Sequence, residues 1–133
     1  MRVVVDTNVL VSGLLNPFGP PGRAIDLMVA GEILVLYDDR ILGEYRAVLH
    51  RSRFGFPKVD VQELLEYLER EGESVMARPS KYELEDPDDL PFLEVAMAGA
   101  ADALVTGNVR HFRPRRGRHG VKVLTPAKFC AVV

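Results

Sequence analysis

The apolar positions of this chain change period along its length, and each change marks an element. Val3, Val4 and Val5 form an unbroken apolar run, as expected of a parallel strand covered on both faces. The pattern predicts a strand over Arg2 to Asp6 and a helix starting near Val9. The stretch Asn16-Pro17-Phe18-Gly19-Pro20-Pro21-Gly22 is too rich in Pro and Gly to be regular. Helix resumes over Arg23 to Ala30, with Gly31 as its stop, and Glu32 to Tyr37 is the second strand. Asp38 or Asp39 caps a helix running to about Arg51, whose residues Ile41, Leu42, Tyr45, Val48 and Leu49 form one apolar stripe. Asp60 caps another, with Val61, Leu64, Leu65 and Leu68 on one face. Glu73 to Arg78 is a third strand, and a helix follows from about Leu90 to Ala100, with Pro91 tolerated in its first turn. Ala103 to Thr106 is the fourth strand and Val121 to Leu124 a fifth at the edge, before a short helix from Pro126. The regular β/α alternation predicts one α/β domain over residues 1–133.

At 133 residues the chain can bury a core without disulfides or a structural metal. The single cysteine, Cys130, allows no intramolecular bridge and has no partner at zinc-ligand spacing. A reducing, cytoplasmic setting fits it. No apolar stretch reaches the roughly 20 residues of a membrane span, so no membrane association is expected. The net charge of −2 hides a separation of sign. Asp60 to Glu94 holds twelve acids against Arg70, Arg78 and Lys81, whereas Arg46 to Lys58 and Arg110 to Lys122 hold basic residues and no acids. The second basic run carries Arg110, His111, Arg113, Arg115, Arg116 and Arg118 around Pro114, Gly117 and Gly120, which make it a loop. Such a loop can serve as a nucleic-acid arm or as a solvated surface segment.

The polar exceptions fall where a sheet of this kind binds ligands, at the carboxyl ends of strands. Asp6 ends the first strand, followed by Thr7 and Asn8; it is either a helix cap or a site residue. Glu44 lies beside the edge of the apolar stripe, placed to lean over the sheet or to pair at the surface. Asp86, Asp88 and Asp89 crowd one helix start. Capping needs one acid, and like charges repel unless a cation neutralises them. The fourth strand ends in Thr106-Gly107-Asn108 and runs straight into the basic loop. These side chains offer oxygen, which suits Mg2+ or Mn2+ rather than zinc. Carboxylates holding such an ion can activate water for in-line displacement at a phosphate, with Thr7, Asn8, Thr106 and Asn108 orienting carboxylates or waters behind them. No GxSxG, GxxxxGK[ST], HExxH or GxGxxG is present to support other chemistries.

Three segments, VVVDTNVLVSGLL, ILGEYRAVL and DPDDLPFLEVAMAGAADALVTGNVRHF, together with their order and spacing, give the chain a resemblance to PIN-domain ribonucleases. It looks most like the small prokaryotic PIN proteins that act as toxins of toxin–antitoxin pairs, the VapC type. The resemblance implies a three-layer α/β/α sandwich around a parallel sheet of four to five strands, and metal-dependent endonucleolytic cleavage of RNA. It also implies an antitoxin partner and a homodimer, with contacts sought around Val9 to Leu15 and Val48 to Phe56. Matched residue by residue, the first acid of the family pattern falls on Asp6, the second on Glu44 and the third on Asp89, with Asp88 the adjacent alternative. These are the implied catalytic and metal-binding residues, and the basic loop together with Arg46 the implied RNA contacts. The chain departs from the pattern after the fourth strand, where Asn108 and His111 stand in positions that carry aspartate in many relatives. His111 is open between a phosphate contact and an ordinary loop histidine.

Two other classes compete. A haloacid-dehalogenase-type phosphohydrolase also begins with an aspartate after its first strand, but wants a second one where this chain has Asn8. A PIN-fold RNA-binding or regulatory module with little or no turnover is suggested by Asn108.

Overall fold

A computed structural model describes residues 1–133. Five strands, β1 (Arg2–Val5), β2 (Leu34–Tyr37), β3 (Glu73–Ser74), β4 (Ala103–Val105) and β5 (Val123–Leu124), form one sheet in the order β3-β2-β1-β4-β5. Every pairing is parallel, with Val3 opposite Val35 on one side and Ala103 on the other. Val3, Val4 and Val5 are fully buried along with Ala103, Leu104 and Val105. Successive side chains point to opposite faces, so helices cover the sheet on both. The expected α/β/α sandwich is present, with five strands.

Six helices surround the sheet: α1 (Thr7–Leu15), α2 (Pro20–Val29), α3 (Asp39–Leu49), α4 (Lys58–Glu71), α5 (Leu90–Ala98) and α6 (Pro126–Val132). The strongly apolar α5 packs across β1, β2 and β4. α3 and α4 pack on each other beside β2, and α6 packs on α2 and β4. Strand order reverses between β1 and β4, and in open α/β sheets that is where a crevice opens beyond the carboxyl ends.

The structure shifts several predicted boundaries, for identifiable reasons. α2 starts at Pro20 rather than Arg23, because two prolines fit the first turn of a helix, where N–H groups have no partner. α4 starts at Lys58, so Asp60 lies in its first turn instead of capping it. β3 covers two residues rather than reaching Arg78: after Val75 donates to the Tyr37 carbonyl (2.8 Å), the chain turns away toward Pro79. β5 starts at Val123 rather than Val121. Residues Val109–Phe112, at the head of the predicted loop, form a 3-10 turn.

Two glycines let α1 and α2 approach closely. A Cβ on Gly22 would sit 2.2 Å from the Pro17 carbonyl oxygen, and one on Gly13 would sit 2.8 Å from that of Pro21. Gly22→Ala should therefore cost about 1–3 kcal/mol, because a backbone carbonyl must move. Urea unfolding measures it, and an unchanged midpoint would contradict the close approach.

Candidate active site

Asp6 follows directly on β1, and its backbone N–H still continues the sheet by donating to the Val105 carbonyl (2.9 Å). It occupies the N-cap position of α1, yet its side chain makes no capping hydrogen bond. Instead the fully buried Thr106, at the end of β4, donates its hydroxyl to Asp6 Oδ2 at 2.7 Å, across the reversal point. Asp6 is only 7% exposed. Burial raises its carboxyl above the ordinary aspartate range, against the Thr106 bond, the backbone N–H groups of Thr7 and Asn8, and the charge of His111.

Glu44 projects from the middle of α3. The buried Thr7 hydroxyl donates to its Oε2. Burial raises the Glu44 carboxyl, opposed by the Thr7 bond, and the charges of Asp6, Asp88 and Asp86 raise it further. Thr7 and Thr106 thus each hold one acid, as the sequence suggests. Asn8 and Asn108 do something else. Asn8 accepts the Gly107 N–H at 3.2 Å, tying the two strand ends together, and the exposed Asn108 makes no side-chain hydrogen bond.

The acidic string divides by role. Asp86 caps a 3-10 turn over Pro87–Asp89, accepting the Asp88 N–H at 2.9 Å. Asp89, at the N-cap position of α5, makes no capping bond. Burial first, then the charges of Asp6 and Asp86, push its carboxyl up to about 7, with Glu44 adding to the rise and His111 opposing it. The charges of Asp6 and Glu44 therefore both reach Asp89. Asp88 is exposed and acts on Glu44 from the rim.

The basic residues are less uniformly placed. Arg110 and His111 line a cleft of about 550 Å³ together with Glu85, Gly107, Asn108 and Thr125. His111 Nδ1 lies 3.8 Å from Asp89 Oδ2. Arg113, Arg115, Arg116 and Arg118 are exposed farther along the loop, where Arg115 Nη1 comes within 3.9 Å of Glu83. The loop is pinned by Tyr82, which donates to the Arg118 carbonyl (2.7 Å). Arg46 stands apart. It lines a separate groove between α3 and α4 with His50, Gln62 and Glu69.

The pattern of residue types gave no warning of two supports. Tyr45, fully buried and packed 6.3 Å from the Phe92 ring, donates its hydroxyl to the Val5 carbonyl at the end of β1. It holds α3, and so Glu44, against the strand that carries Asp6. Its neighbour Glu44 was the available signal, since a buried phenol needs an acceptor. Glu94, buried on α5, accepts from Arg40 Nη1 and from the Ser80 N–H, each at 2.7 Å. Arg40 also meets Asp38 at 2.8 Å, which links the starts of β2's following helix and of the acidic loop.

Fold and site together define a doubly wound α/β domain with a carboxylate cluster at the strand-order reversal. Residues 2–110 match the PIN domain family model, and the chain belongs to the PIN domain family. Over 44 residues it is 43% identical to an uncharacterized protein of Methanocaldococcus jannaschii. That match takes in 33% of this chain and 28% of the relative, so the chain spans well under two thirds of that protein's length. In fold it is similar to a chain of VapBC2 from Rickettsia felis, solved bound to a DNA fragment from their promoter. The TM-score is 0.58 at 16% identity, over 94% of this chain and 98% of that one.

Proposed function

We propose that this protein is a Mg2+- or Mn2+-dependent endoribonuclease and the toxin of a toxin–antitoxin pair. One observation carries the reading. Asp6, Glu44 and Asp89, from three distant segments, raise one another's carboxyls at the carboxyl end of the sheet. Side chains held in that state are poised for a cation, which removes the repulsion. The donors are oxygens, fitting Mg2+ or Mn2+. When bound, such an ion supplies a water of lowered pKa and charge neutralisation at a phosphate.

The chain's own residues supply the rest. Thr106 and Thr7 each occupy one carboxylate oxygen and fix its orientation. Asp89 gives up its proton to the incoming cation. Arg110 lines the neighbouring cleft, and the exposed arginines beyond it can follow a phosphate backbone. The haloacid-dehalogenase reading loses support because Asn8 is engaged by Gly107. Asn108 favours one other reading, an RNA-binding module without turnover, since it puts no charge at the rim. A cytoplasmic location and a homodimer belong to the same proposal. Val9 and Leu10 are buried in the core and unavailable for contacts, whereas Leu15 and Phe18 (97% exposed) offer apolar surface to an antitoxin or a second copy.

The test is cleavage of single-stranded and structured RNA, and of DNA, with Mn2+, Mg2+ or EDTA. RNA cleavage that needs a metal is expected. Binding without cleavage, indifferent to chelation, would favour the non-catalytic module. A second expectation concerns the loop: replacing Arg113, Arg116 and Arg118 with alanine should flatten the dependence of log RNA affinity on log salt. Three lost phosphate contacts on single strands amount to a slope change of roughly 2. An unchanged slope would remove the loop from the RNA interface.

A further inference from the structure

We propose that His111 is a nitrogen ligand of the metal site formed by Asp6, Glu44 and Asp89, giving a mixed oxygen–nitrogen site that prefers Mn2+ to Mg2+. The inference rests on the metal-site reading above and adds a donor of different chemistry. His111 sits on the 3-10 turn that follows β4, with its N–H bonded to the Asn108 carbonyl at 3.0 Å. This turn brings the ring to Asp89, with Nδ1 3.8 Å from Oδ2.

That distance is informative. It is too long for a hydrogen bond, so the ring is not simply paired with the acid. Donors roughly 2.1 Å from an octahedral ion are separated by roughly 3 Å when adjacent and 4.2 Å when opposed, and 3.8 Å falls inside that range. His111 also acts on both Asp6 and Asp89 through its charge, so it faces the cluster rather than one member of it.

The other two histidines are otherwise engaged. His119 has one ring nitrogen at the Phe112 carbonyl (2.8 Å) and takes the Val121 N–H on the other (3.0 Å), and His50 Nδ1 lies at the Arg46 carbonyl (2.9 Å). The ring of His111 makes no hydrogen bond to the protein and is partly exposed. Imidazole binds transition ions such as Mn2+ better than it binds Mg2+, which holds to oxygen.

The experiment is pulsed electron paramagnetic resonance of the full-length protein loaded with Mn2+, read for the nitrogen-14 modulation of a coordinated imidazole. Wild type should show it, His50→Ala should keep it, and His111→Asn should lose it while keeping its circular dichroism spectrum. Calorimetry on the same samples should show Mn2+ affinity falling at least about tenfold in His111→Asn, the scale seen when ligand-supporting groups are removed. His111→Asp should shift the Mn2+/Mg2+ affinity ratio toward Mg2+. Tight Mn2+ binding with no imidazole modulation in wild type would overturn the nitrogen ligand and leave the carboxylate site standing. No Mn2+ binding at all would overturn both.

Discussion

Asp6→Asn and Asp89→Asn each abolish metal-dependent RNA cleavage, with an expected loss of at least about 100-fold, comparable to removing a single preorganised charge-stabilising group from an active site. Both substitutions keep side-chain size and remove one negative charge from the cluster. The Asp6 variant retains an amide oxygen that can still accept the Thr106 hydroxyl, so the strand ends remain joined. Loss of activity in a folded variant therefore reports on the missing charge. Asp88→Asn is the internal contrast. Asp88 is exposed, and its charge reaches Glu44 but is not among those that shift Asp6 or Asp89. It should keep activity within a few-fold of wild type. A full loss in Asp88→Asn with normal activity in Asp89→Asn would exchange the two assignments. Normal activity in Asp6→Asn would remove the carboxylate mechanism altogether.

The parts of this site that the sequence made legible are those set by backbone chemistry. An apolar run ending in Asp6 had to be a covered strand meeting solvent, and the ALVT run had to be its counterpart; the sheet order then brought Thr106 onto Asp6. The helix of Glu44 was readable from its stripe, but whether Glu44 faced the sheet end or solvent was not. That choice depends on Tyr45 reaching the Val5 carbonyl, a contact forty residues apart in sequence. The DPDD string was ambiguous for a related reason. Any of its acids can cap a helix, and only the 3-10 turn, in which Asp86 takes the capping role, leaves Asp89 unspent. The basic run shows the limit of charge counting. Its members are one cluster in sequence, yet only Arg110 and His111 line the cleft beside the acids, and Arg46 faces a different groove.

Metal-free protein should gain stability from Asp89→Asn, with a gain that grows with pH. The sign follows from linkage. In the folded chain the Asp89 carboxyl is raised from its ordinary 3.8 to about 7. Between those values the folded state holds a proton that the unfolded chain has released, so stability falls as pH rises, and above about 7 the penalty is complete. Asparagine carries no such penalty. Because water reaches part of this group and screens it, the expected gain at pH 8 in EDTA is only ~1–2 kcal/mol, or roughly 3–8 °C in Tm. Near pH 4 the two proteins should melt together. Taking the difference between variant and wild type cancels the other titrating groups, since the two chains share them. Saturating Mn2+ should reverse the order. At a hundredfold excess over Kd a bound ion adds about 2.7 kcal/mol to the protein that holds it, and the variant, short of one carboxylate, should gain much less. The melting temperatures should therefore cross between EDTA and Mn2+ at pH 8. A difference that ignores pH, or a variant stabilised by Mn2+ as much as wild type, would mean that Asp89 is neither the strained acid nor a ligand. Stability given up by the empty site and returned on binding is what a cluster kept for its chemistry should show.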